Sequence, residues 1–483
     1  MKLFKAVAKL KVWFAFALLA VVLGTVVSIT LSQPSNKIEA VGINTSLPTV
    51  TSTLAPTIEV IAATATPSAT ATPKPTPSPT PLPTATPLPF SDRFDYKPKD
   101  VVRQVRPGVV YIRRELTSPG PLKINIMLFD LTAPEFDLRV VMKNGYLSGV
   151  SPTSKLLKEF NGLAAVNGDL FSGQGLPQGL VISDGKVAMA PKYRATFALT
   201  KDKLPFIGYF TQDWTWPSTV STDKGEKHSL QLLNNTCSGG RGEDLLCIYN
   251  EMARTVAGRS GDIKVMVTPN NMVLDIDYTG KEWKISEGYN VLLARQGTDS
   301  WRWLKQNAVQ YEPLHIMINT NYNLGLFQQA VSGGPIILKD GKFNQDCLCN
   351  LSDCSQVTQK QYQGTRCEEF DLEWKMSHYL TTRMPRTGIG YNDKKTLLVV
   401  AQSDGYQPGF SIGTTQKEFA DLFLEFGATT AMELDGGGSS TMALDGKLVS
   451  RPSDGSGMVE RQVPNAVVFY WKDPPFPRNI VNR

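Results

Sequence analysis

Short apolar runs follow one another through residues 93–474, and their length and spacing are typical of β-strands. In several of them polar and apolar residues alternate, as they do in a strand that buries one face. The runs that predict strands cover residues 109–115, 123–131, 136–142, 163–166, 179–182, 265–268, 291–294, 396–401 and 430–434.

One segment, residues 415–426, repeats its apolar residues at helical spacing instead. Thr415 and Glu418 have the spacing of a capping box, and Gly427 can close the helix at its other end. Many strands with few helices predict an α+β (mixed α/β) fold, built on a many-stranded, twisted mixed sheet with a few packed helices. The region 205–310, rich in Trp, Asp and Gly, is expected to be an insertion on the main sheet.

The first 31 residues have the pattern of a membrane element. Lys2, Lys5, Lys9 and Lys11 precede an uncharged run at 12–31, which as a helix would extend roughly 30 Å, about the thickness of a bilayer core. We expect a signal anchor in the cell membrane with the lysines in the cytoplasm, and a long cleaved signal peptide, giving a secreted protein, is the alternative. Everything after the run is then extracytoplasmic.

Residues 32–92 contain Thr-Ala-Thr-Pro repeats and alternating prolines. Proline at this density blocks helices and ladder hydrogen bonds and favours polyproline II, so the segment is predicted to be a stalk. Residues 93–474 are expected to be the working domain and residues 475–483 a tail.

The chain has 483 residues and a net charge of +6. Because the four N-terminal lysines carry most of that excess, the remainder is nearly neutral and lacks the basic footprint of a nucleic-acid-binding protein.

Six cysteines beyond the predicted membrane helix favour disulfides. We expect one bridge between Cys237 and Cys247, and two more within a second cluster. That cluster, with His378 further on, is also compatible with a zinc site, but its spacing is not that of paired C-x2-C ligands. Its members are Cys347, Cys349, Cys354 and Cys367.

Candidate chemistry gathers in three blocks, each at the end of an apolar strand, where open sheets commonly bind ligands. The first contains Asn167 and Asp169, and the second contains Arg386 and, after the following strand, Asp404. Arg386 could be a planar phosphate clamp or a member of a surface salt bridge.

The third block carries the most information. Glu433 and Asp435 are two residues apart on a strand, so both carboxylates are expected to face the same side. Three glycines then allow close approach of a ligand and an anion-binding nest, and three hydroxyl residues add donors. A glycine turn capped by Asp435 is the structural alternative. The residues after Asp435 are Gly436, Gly437, Gly438, Ser439, Ser440 and Thr441.

Several catalytic systems lack their motifs. None of the three histidines lies in the blocks, and the sequence has no G-x-S-x-G elbow, P-loop, H-E-x-x-H or EF-hand motif.

Taken together, the blocks resemble the phosphodiester glycosidase family over roughly residues 160–472. The similar motifs are Asn-Gly-x-x-Phe at 167–171, Gly-Gly-Pro at 333–335, Asp-Gly-Lys at 340–342, Pro-Arg-Thr at 385–387, Leu-Asp-Gly-Gly-Gly-Ser-Ser-Thr at 434–441, and Arg-x-Val-x-Asn from Arg461 to Asn465.

The resemblance implies hydrolysis of a sugar-1-phosphodiester at the anomeric carbon. The released products are the sugar and a phosphate monoester. Under this interpretation Asp435 or Asp404, with Glu433 and Asp169 as further catalytic candidates, would activate water or stabilise the oxocarbenium-like carbon. Asn167 and Asp169 would orient sugar hydroxyls or water.

The phosphate would be held by Arg386 and the glycine nest, and the family motif adds Arg461 and Asn465 to the substrate-binding candidates. No metal ligand is assigned and no cofactor is required, although a divalent cation could bridge an aspartate and the phosphate. The expected substrate is a glycan or glycolipid of the cell envelope or an exopolysaccharide.

Two other functions suit the same residues. A non-catalytic sugar-phosphate-binding module of the envelope would keep the nest and the arginine without needing the aspartates for turnover. A transglycosylating protein of exopolysaccharide assembly would pass the sugar to an acceptor sugar instead of water.

The predicted topology is testable with intact cells or spheroplasts. Because the lysines precede the apolar run, added protease should digest the domain that follows the stalk. Protection of that domain from protease would refute the orientation.

Overall fold

The structure is a computed structural model and describes residues 89–192, 194–211, 218–235, 237, 244–344 and 381–472. The predicted membrane helix, the stalk as far as residue 88, the second cysteine cluster and the tail lie outside these residues. Within the described part, which begins at residue 89, no helix is long and apolar enough to cross a membrane. Phe90 is buried, so the folded part includes the last residues of the predicted stalk.

The described residues form 30 β-strands and three α-helices. The strands before residue 212 are β1 (Val101–Arg106), β2 (Val109–Leu116), β3 (Leu122–Asp130), β4 (Phe136–Met142), β5 (Ser151–Pro152), β6 (Ala164–Asn167), β7 (Val181–Ser183), β8 (Lys186–Met189), β9 (Arg194–Thr200) and β10 (Pro205–Phe210).

The next ten strands are β11 (Thr219–Thr222), β12 (Lys227–Ser229), β13 (Leu232–Leu233), β14 (Leu246–Asn250), β15 (Thr255–Val256), β16 (Ile263–Val267), β17 (Val273–Asp277), β18 (Trp283–Lys284), β19 (Asn290–Ala294) and β20 (Leu314–Met317).

The last ten are β21 (Phe327–Ser332), β22 (Ile336–Lys339), β23 (Lys342–Phe343), β24 (Arg386–Tyr391), β25 (Leu397–Ser403), β26 (Thr430–Glu433), β27 (Met442–Leu444), β28 (Lys447–Leu448), β29 (Gln462–Val463) and β30 (Asn465–Trp471). The helices are α1 (Thr153–Glu159), α2 (Asp299–Asn307) and α3 (Gln416–Glu425).

Three sheets enclose the main core. Sheet A has the order β1-β2-β3-β25-β24-β26-β22-β23, sheet B the order β28-β27-β6-β30-β4, and sheet C the order β10-β9-β21-β7-β8. All pairings within these sheets are antiparallel. Apolar side chains from all three sheets meet in one cluster that includes Phe129, Phe197 and Phe469.

Helices cover the outer faces of two sheets. The aromatic face of α3, with Phe419 and Phe423, packs on sheet A, and Leu156 and Leu157 of α1 pack on sheet B. Burial of each large apolar side chain contributes roughly 1.5–3 kcal/mol, so these contacts hold the layers together.

The coarse α+β prediction is confirmed, but sheets A to C are antiparallel rather than mixed. Each predicted strand overlaps an observed one, and the predicted helix is α3. Thr415 caps that helix in the expected capping box with Glu418. The one parallel pairing among the described strands joins β13 to β14 in a separate sheet.

That separate sheet, sheet D, has the order β13-β14-β19-β16-β17 and lies in the chain between β10 and β21 of sheet C. Its strands, with α2, enclose their own apolar cluster, which includes Leu292 and Leu304. The predicted disulfide is present there, between Cys237 and Cys247, whose Cα atoms are 5.9 Å apart.

Candidate active site

The predicted blocks converge where sheets A, B and C meet. Asn167 ends β6 and Asn465 begins β30 in sheet B, while Asp435 follows β26 of sheet A. Arg194, which begins β9 of sheet C, completes this group. The structure thus brings together residues that are up to 298 positions apart, from Asn167 to Asn465.

Asn167 is fully buried and joins sheets A and B. Its Nδ2 donates to the carbonyl of Asp435 at 2.7 Å. Its Oδ1 accepts from Thr387 Oγ1 at 2.8 Å and from the Thr441 N–H at 3.0 Å. Because its hydrogen bonds go to protein groups, Asn167 supports a positioning role rather than the predicted contact with sugar hydroxyls.

Asn465 holds the turn that carries Asp169. Its Oδ1 accepts from the Asp169 N–H at 2.8 Å, and a β-carbon on Gly168 would lie only 2.0 Å from that same oxygen. A glycine is therefore required at 168. Asn465 Nδ2 is buried without a hydrogen-bond partner in the described structure, so it can donate to a ligand.

Asp169 and Asp435 form a pair of interacting carboxyl groups. Burial, together with the negative charge of Asp435, raises the pKa of Asp169 to about 7 against the opposing effects of Arg194 and the Gly179 N–H. Burial raises the pKa of Asp435 to about 6, although the Ser439 hydroxyl and Arg461 favour its charged form. One oxygen of Asp169 accepts from Gly179 N–H at 2.8 Å, and the other, Oδ1, has no partner in the described structure.

Two cations that the sequence analysis did not select stand beside this pair. Arg194 interacts electrostatically with both carboxylates, and its Nη2 donates to Gln178 Oε1 at 3.1 Å. Partial burial and the charge of Arg194 lower the pKa of Lys192, and Asp169 opposes that change. Lys192 precedes strand β9 and Arg194 begins it, whereas the predicted blocks lie at the ends of strands. In antiparallel sheets starts and ends share an edge.

The glycine turn is a short 3-10 helix, Gly437–Ser439. Several of its N–H groups are already used: that of Gly437 donates to Pro385 O, that of Ser439 to Gly436 O and that of Ser440 to Gly437 O. The predicted nest is therefore only partly available to a ligand. The hydroxyl of Ser440, in contrast, is buried without a partner in the described structure and can serve a ligand.

Gly438 allows a close contact with two side chains. A β-carbon there would lie 2.0 Å from Arg461 Nη2 and 2.4 Å from Asp454 Oδ1. Arg461 binds Asp454 through two hydrogen bonds, of 2.8 and 3.0 Å, and its charge acts on Asp435. Arg461 thus lies at the site, and Asp454 partly neutralises its charge.

Arg386 and Glu433 form a buried ion pair. Arg386 Nη1 donates to Glu433 Oε1 at 2.7 Å, and both side chains are at most 2% exposed. Arg386 also donates to the carbonyls of Thr414 and Thr382, and Gln416 of α3 donates to the second Glu433 oxygen. These partners argue against the predicted roles of Arg386 as a phosphate clamp and of Glu433 as a catalytic group.

Glu433 and Asp435 consequently do not act on a common side. Strand β26 ends at Glu433, so the two-residue alternation does not extend to Asp435. The side chain of Glu433 contacts α3, while that of Asp435 interacts with Asp169, Arg194 and Arg461.

Asp404 belongs to a buried hydrogen-bond chain. Its Oδ1 accepts from Gln402 Nε2 at 3.0 Å and from the Arg451 N–H at 2.9 Å. Burial raises its pKa to about 6. Gln402 in turn accepts from Asn125, which accepts from Tyr111. This chain anchors the loop after β25 and favours a structural role over the predicted catalytic one.

That loop contains Tyr406, which is 52% exposed beside the glycine turn. Burial raises the pKa of its phenol, while the charges of Arg386 and Arg461 lower it. Tyr406 is therefore an exposed aromatic side chain next to the glycine turn. Among the residues that the structure describes, no group of three or more His, Cys, Asp or Glu side chains could hold a metal ion.

A structural role for the Arg386–Glu433 pair predicts a large loss of stability when one partner is neutralised. Glu433→Gln leaves a buried guanidinium without its counter-charge and should lower the free energy of unfolding by about 3–5 kcal/mol. Asp421→Asn, which breaks the exposed Lys417–Asp421 pair on α3, is the control and should cost less than about 1 kcal/mol. Denaturant unfolding of both variants checks this, and parental stability of Glu433→Gln would restore the clamp hypothesis.

Comparison with known proteins covers part of this site. Residues 264–470 match the family model described as phosphodiester glycosidase. The human N-acetylglucosamine-1-phosphodiester alpha-N-acetylglucosaminidase is 37% identical over 94 residues, which are 19% of this chain and 17% of the human protein. The matched segment is therefore a small part of that relative.

Solved structures extend the likeness of the fold. A hypothetical protein from Synechocystis is similar over 78% of this chain and 64% of its own, with a TM-score of 0.59 and 18% identity. A protein of Burkholderia pseudomallei is similar over 72% of this chain and 74% of its own, with a TM-score of 0.55 and 22% identity.

The family match begins at residue 264, so it excludes the block of Asn167. It does include the blocks of Arg386 and Asp435 and the motif from Arg461 to Asn465. The predicted resemblance to the phosphodiester glycosidase family is thereby confirmed over residues 264–470, which match the model of that family.

Proposed function

We propose that this chain is an enzyme that hydrolyses sugar-1-phosphodiesters at the anomeric carbon. The observation that carries the proposal is the pair Asp169 and Asp435, a buried and a partly buried carboxyl group that follow strands of different sheets and share the charge of Arg194. Carboxyl groups placed together with raised pKa values are typical of catalytic sites and costly in a purely structural one.

We assign different roles to the two aspartates because their surroundings differ. Asp435 is the base: burial raises its pKa to about 6, but the Ser439 hydroxyl and the charges of Arg461 and Arg194 favour its ionised form. Asp169, with a pKa of about 7, keeps its proton while Asp435 is charged, so it can donate a hydrogen bond to the substrate. Its partnerless Oδ1 is the atom available for that bond.

The reaction follows from these roles. Asp435 accepts a proton from the attacking water, whose oxygen forms the new bond to the anomeric carbon. The bond from that carbon to the phosphate oxygen breaks, and the phosphate monoester leaves with the electron pair. A phosphate is a weak base, so it needs less protonation on departure than the alcohol of an ordinary glycoside.

Arg194 and Lys192 are the proposed phosphate-binding cations, in place of Arg386. Arg194 is a fixed planar donor, since Gln178 holds one of its nitrogens, and it lies close enough to both carboxylates to affect their pKa values. The partnerless Ser440 hydroxyl and Asn465 amide are additional donors.

The name of the human relative states N-acetylglucosamine 1-phosphodiesters as that protein's substrates. We propose this class for the first assay of the present chain, with envelope or exopolysaccharide glycans as the natural source. The Cys237–Cys247 disulfide supports the extracytoplasmic location expected from the N-terminal pattern.

Substitution of the two aspartates should have different effects on the pH profile. The parent should be most active between pH values of about 6 and 7, because Asp435 must be ionised and Asp169 protonated. Asp435→Asn should reduce turnover by about 100-fold or more at every pH. Asp169→Asn should remove the alkaline limb and leave the acidic one.

Release of reducing sugar from methyl N-acetylglucosamine-1-phosphate, the methyl phosphodiester, measures these profiles. Adding an acceptor sugar and analysing products distinguishes hydrolysis from transfer. If Asp435→Asn retained near-parental activity, Asp435 would not be catalytic and would instead be a structural cap of the glycine turn. Absence of any turnover in the parent would favour a binding module.

Loss of the Arg194 charge should weaken phosphodiester binding and shift the pH profile of activity to higher pH. The cation lowers the pKa of both aspartates, so Arg194→Gln should raise both and move the acidic limb to higher pH. Arg139→Gln removes an exposed arginine elsewhere on sheet B and is the matched control. If the acidic limb of the pH profile did not shift in Arg194→Gln, the proposed role of Arg194 in the site would be refuted.

A further inference from the structure

Two tyrosines of the described part have a left-handed backbone. Tyr406 has a φ of 57° and Tyr311 a φ of 66°. A bulky side chain is unusual in this region because its Cβ crowds the backbone carbonyl, and such strain is frequent at ligand sites. Tyr311, however, lies at the edge of sheet D, where its N–H donates to Val273 O of β17. The backbone conformation alone therefore does not identify a site, and the surroundings of each tyrosine decide.

The loop around Tyr406 is fixed on both sides. Before it, the Asp404 carbonyl accepts from the Ser411 hydroxyl at 2.6 Å. After it, Gln407 exchanges two backbone hydrogen bonds with Ser411, of 3.1 and 2.7 Å, and its Nε2 donates to Pro452 O at 2.9 Å. None of these contacts uses the ring of Tyr406. The loop therefore presents the ring and is not itself held by it.

The ring lies over the glycine turn, close to Asp435. Its Cε2 is 3.7 Å from the position that a β-carbon on Gly437 would take, and the side chain is 52% exposed. Gly437 is two residues from Asp435, and consecutive Cα atoms are about 3.8 Å apart, so these two Cα atoms are at most about 7.6 Å apart. A side chain at 437 would fill part of the space beside the ring, whereas glycine leaves it open to a ligand.

The charges around the ring indicate which part of a substrate it can contact. Burial raises the pKa of the Tyr406 phenol, and the charges of Arg386 and Arg461 oppose that change. Asp435 is acted on by Arg461 and also by Arg194, which is not among the charges that act on Tyr406 in the described structure. Asp435 thus lies between Tyr406 on one side and Arg194 on the other. With the phosphate at Arg194 and the anomeric carbon at Asp435, the sugar ring extends towards Tyr406.

We infer that the ring of Tyr406 is the surface against which the released sugar packs, which makes Tyr406 a specificity-determining residue of the site. The inference rests on the proposed function. A pyranose has an apolar face of C–H groups and hydroxyls along its edge, which suits a half-exposed aromatic face beside the charged groups of Arg461 and Asp435. Tyr406 has no part in the proton transfer, so its loss should weaken binding and leave the pH profile unchanged.

The first test compares Tyr406→Phe, Tyr406→Ala and Tyr406→Gly on the methyl phosphodiester of N-acetylglucosamine 1-phosphate. Loss of the ring in the Ala and Gly variants should lower kcat/KM by about 10-fold, mainly through KM, at every pH. Tyr406→Phe keeps the ring and should stay within about twofold of the parent. Tyr311→Ala and Tyr311→Gly change a 69% exposed tyrosine of the same backbone conformation and are the matched controls, which should keep parental activity.

The glycine variants separate a substrate contact from a structural role. Glycine adopts a positive φ without strain, so Tyr406→Gly should unfold at a higher temperature than Tyr406→Ala, and Tyr311→Gly at a higher temperature than Tyr311→Ala. The two Tyr406 variants should nevertheless lose activity equally. Recovery of parental activity in Tyr406→Gly would show that position 406 acts through the conformation of the loop, and the inference would be refuted.

Calorimetric binding to Asp435→Asn separates the inference from the proposed reaction. In that variant Tyr406→Ala should weaken binding of the methyl phosphodiester by about 10-fold and leave binding of dimethyl phosphate, which has no sugar, unchanged. That result without turnover by the parent would support the sugar contact and refute the hydrolysis. Equal weakening of both ligands would place the ring at the phosphate and overturn the inference, and turnover by the parent with unchanged binding in Tyr406→Ala would refute the inference alone. Absence of both binding and turnover would refute both proposals.

Discussion

The amide of Asn167 is the contact on which the site depends. It is buried where sheets A and B meet, and its three hydrogen bonds fix Asp435, Thr387 and Thr441 relative to strand β6. Each partner is a polar group near the core, so its loss would leave several buried groups unpaired, each at a cost of about 1–3 kcal/mol. The geometry of the glycine turn thus follows from packing between two sheets, not from the turn alone.

Because Asn167 fixes these segments, the carboxyl groups of Asp169 and Asp435 can be held close enough for their negative charges to repel each other. Asp169 is held by the Gly179 N–H and by Asn465, and Asp435 is held through its own backbone. Their raised pKa values mean that the fold favours the protonated forms. The stability that these groups contribute is present below their unfolded pKa values and is lost as pH rises through about 6 and 7. At neutral pH the two aspartates therefore lower the stability of the fold, whereas carboxylates with a purely structural role would not.

The sequence predicted elements well where the signal is local. Strand alternation, the capping box of α3 and the Cys237–Cys247 pair depend on residues close together in the chain, and the structure contains all three. The motifs also identified the Asp435 block, which the structure places at the meeting point of the sheets. Ion-pair partners that are far apart in the chain could not be predicted in this way. Nothing in the spacing of Arg386 and Glu433 indicates that they neutralise each other across adjacent strands.

The contribution of sheet C to the site marks the limit of strand-end reasoning. Ligand sites at strand ends are typical of parallel sheets, in which all carboxyl ends lie on one edge. In an antiparallel sheet a neighbouring strand begins where another ends, so Lys192 and Arg194, at the start of β9, lie at the same edge as residues that follow other strands. The order of sheet C, rather than a motif, therefore places these two cations next to Asp169 and Asp435.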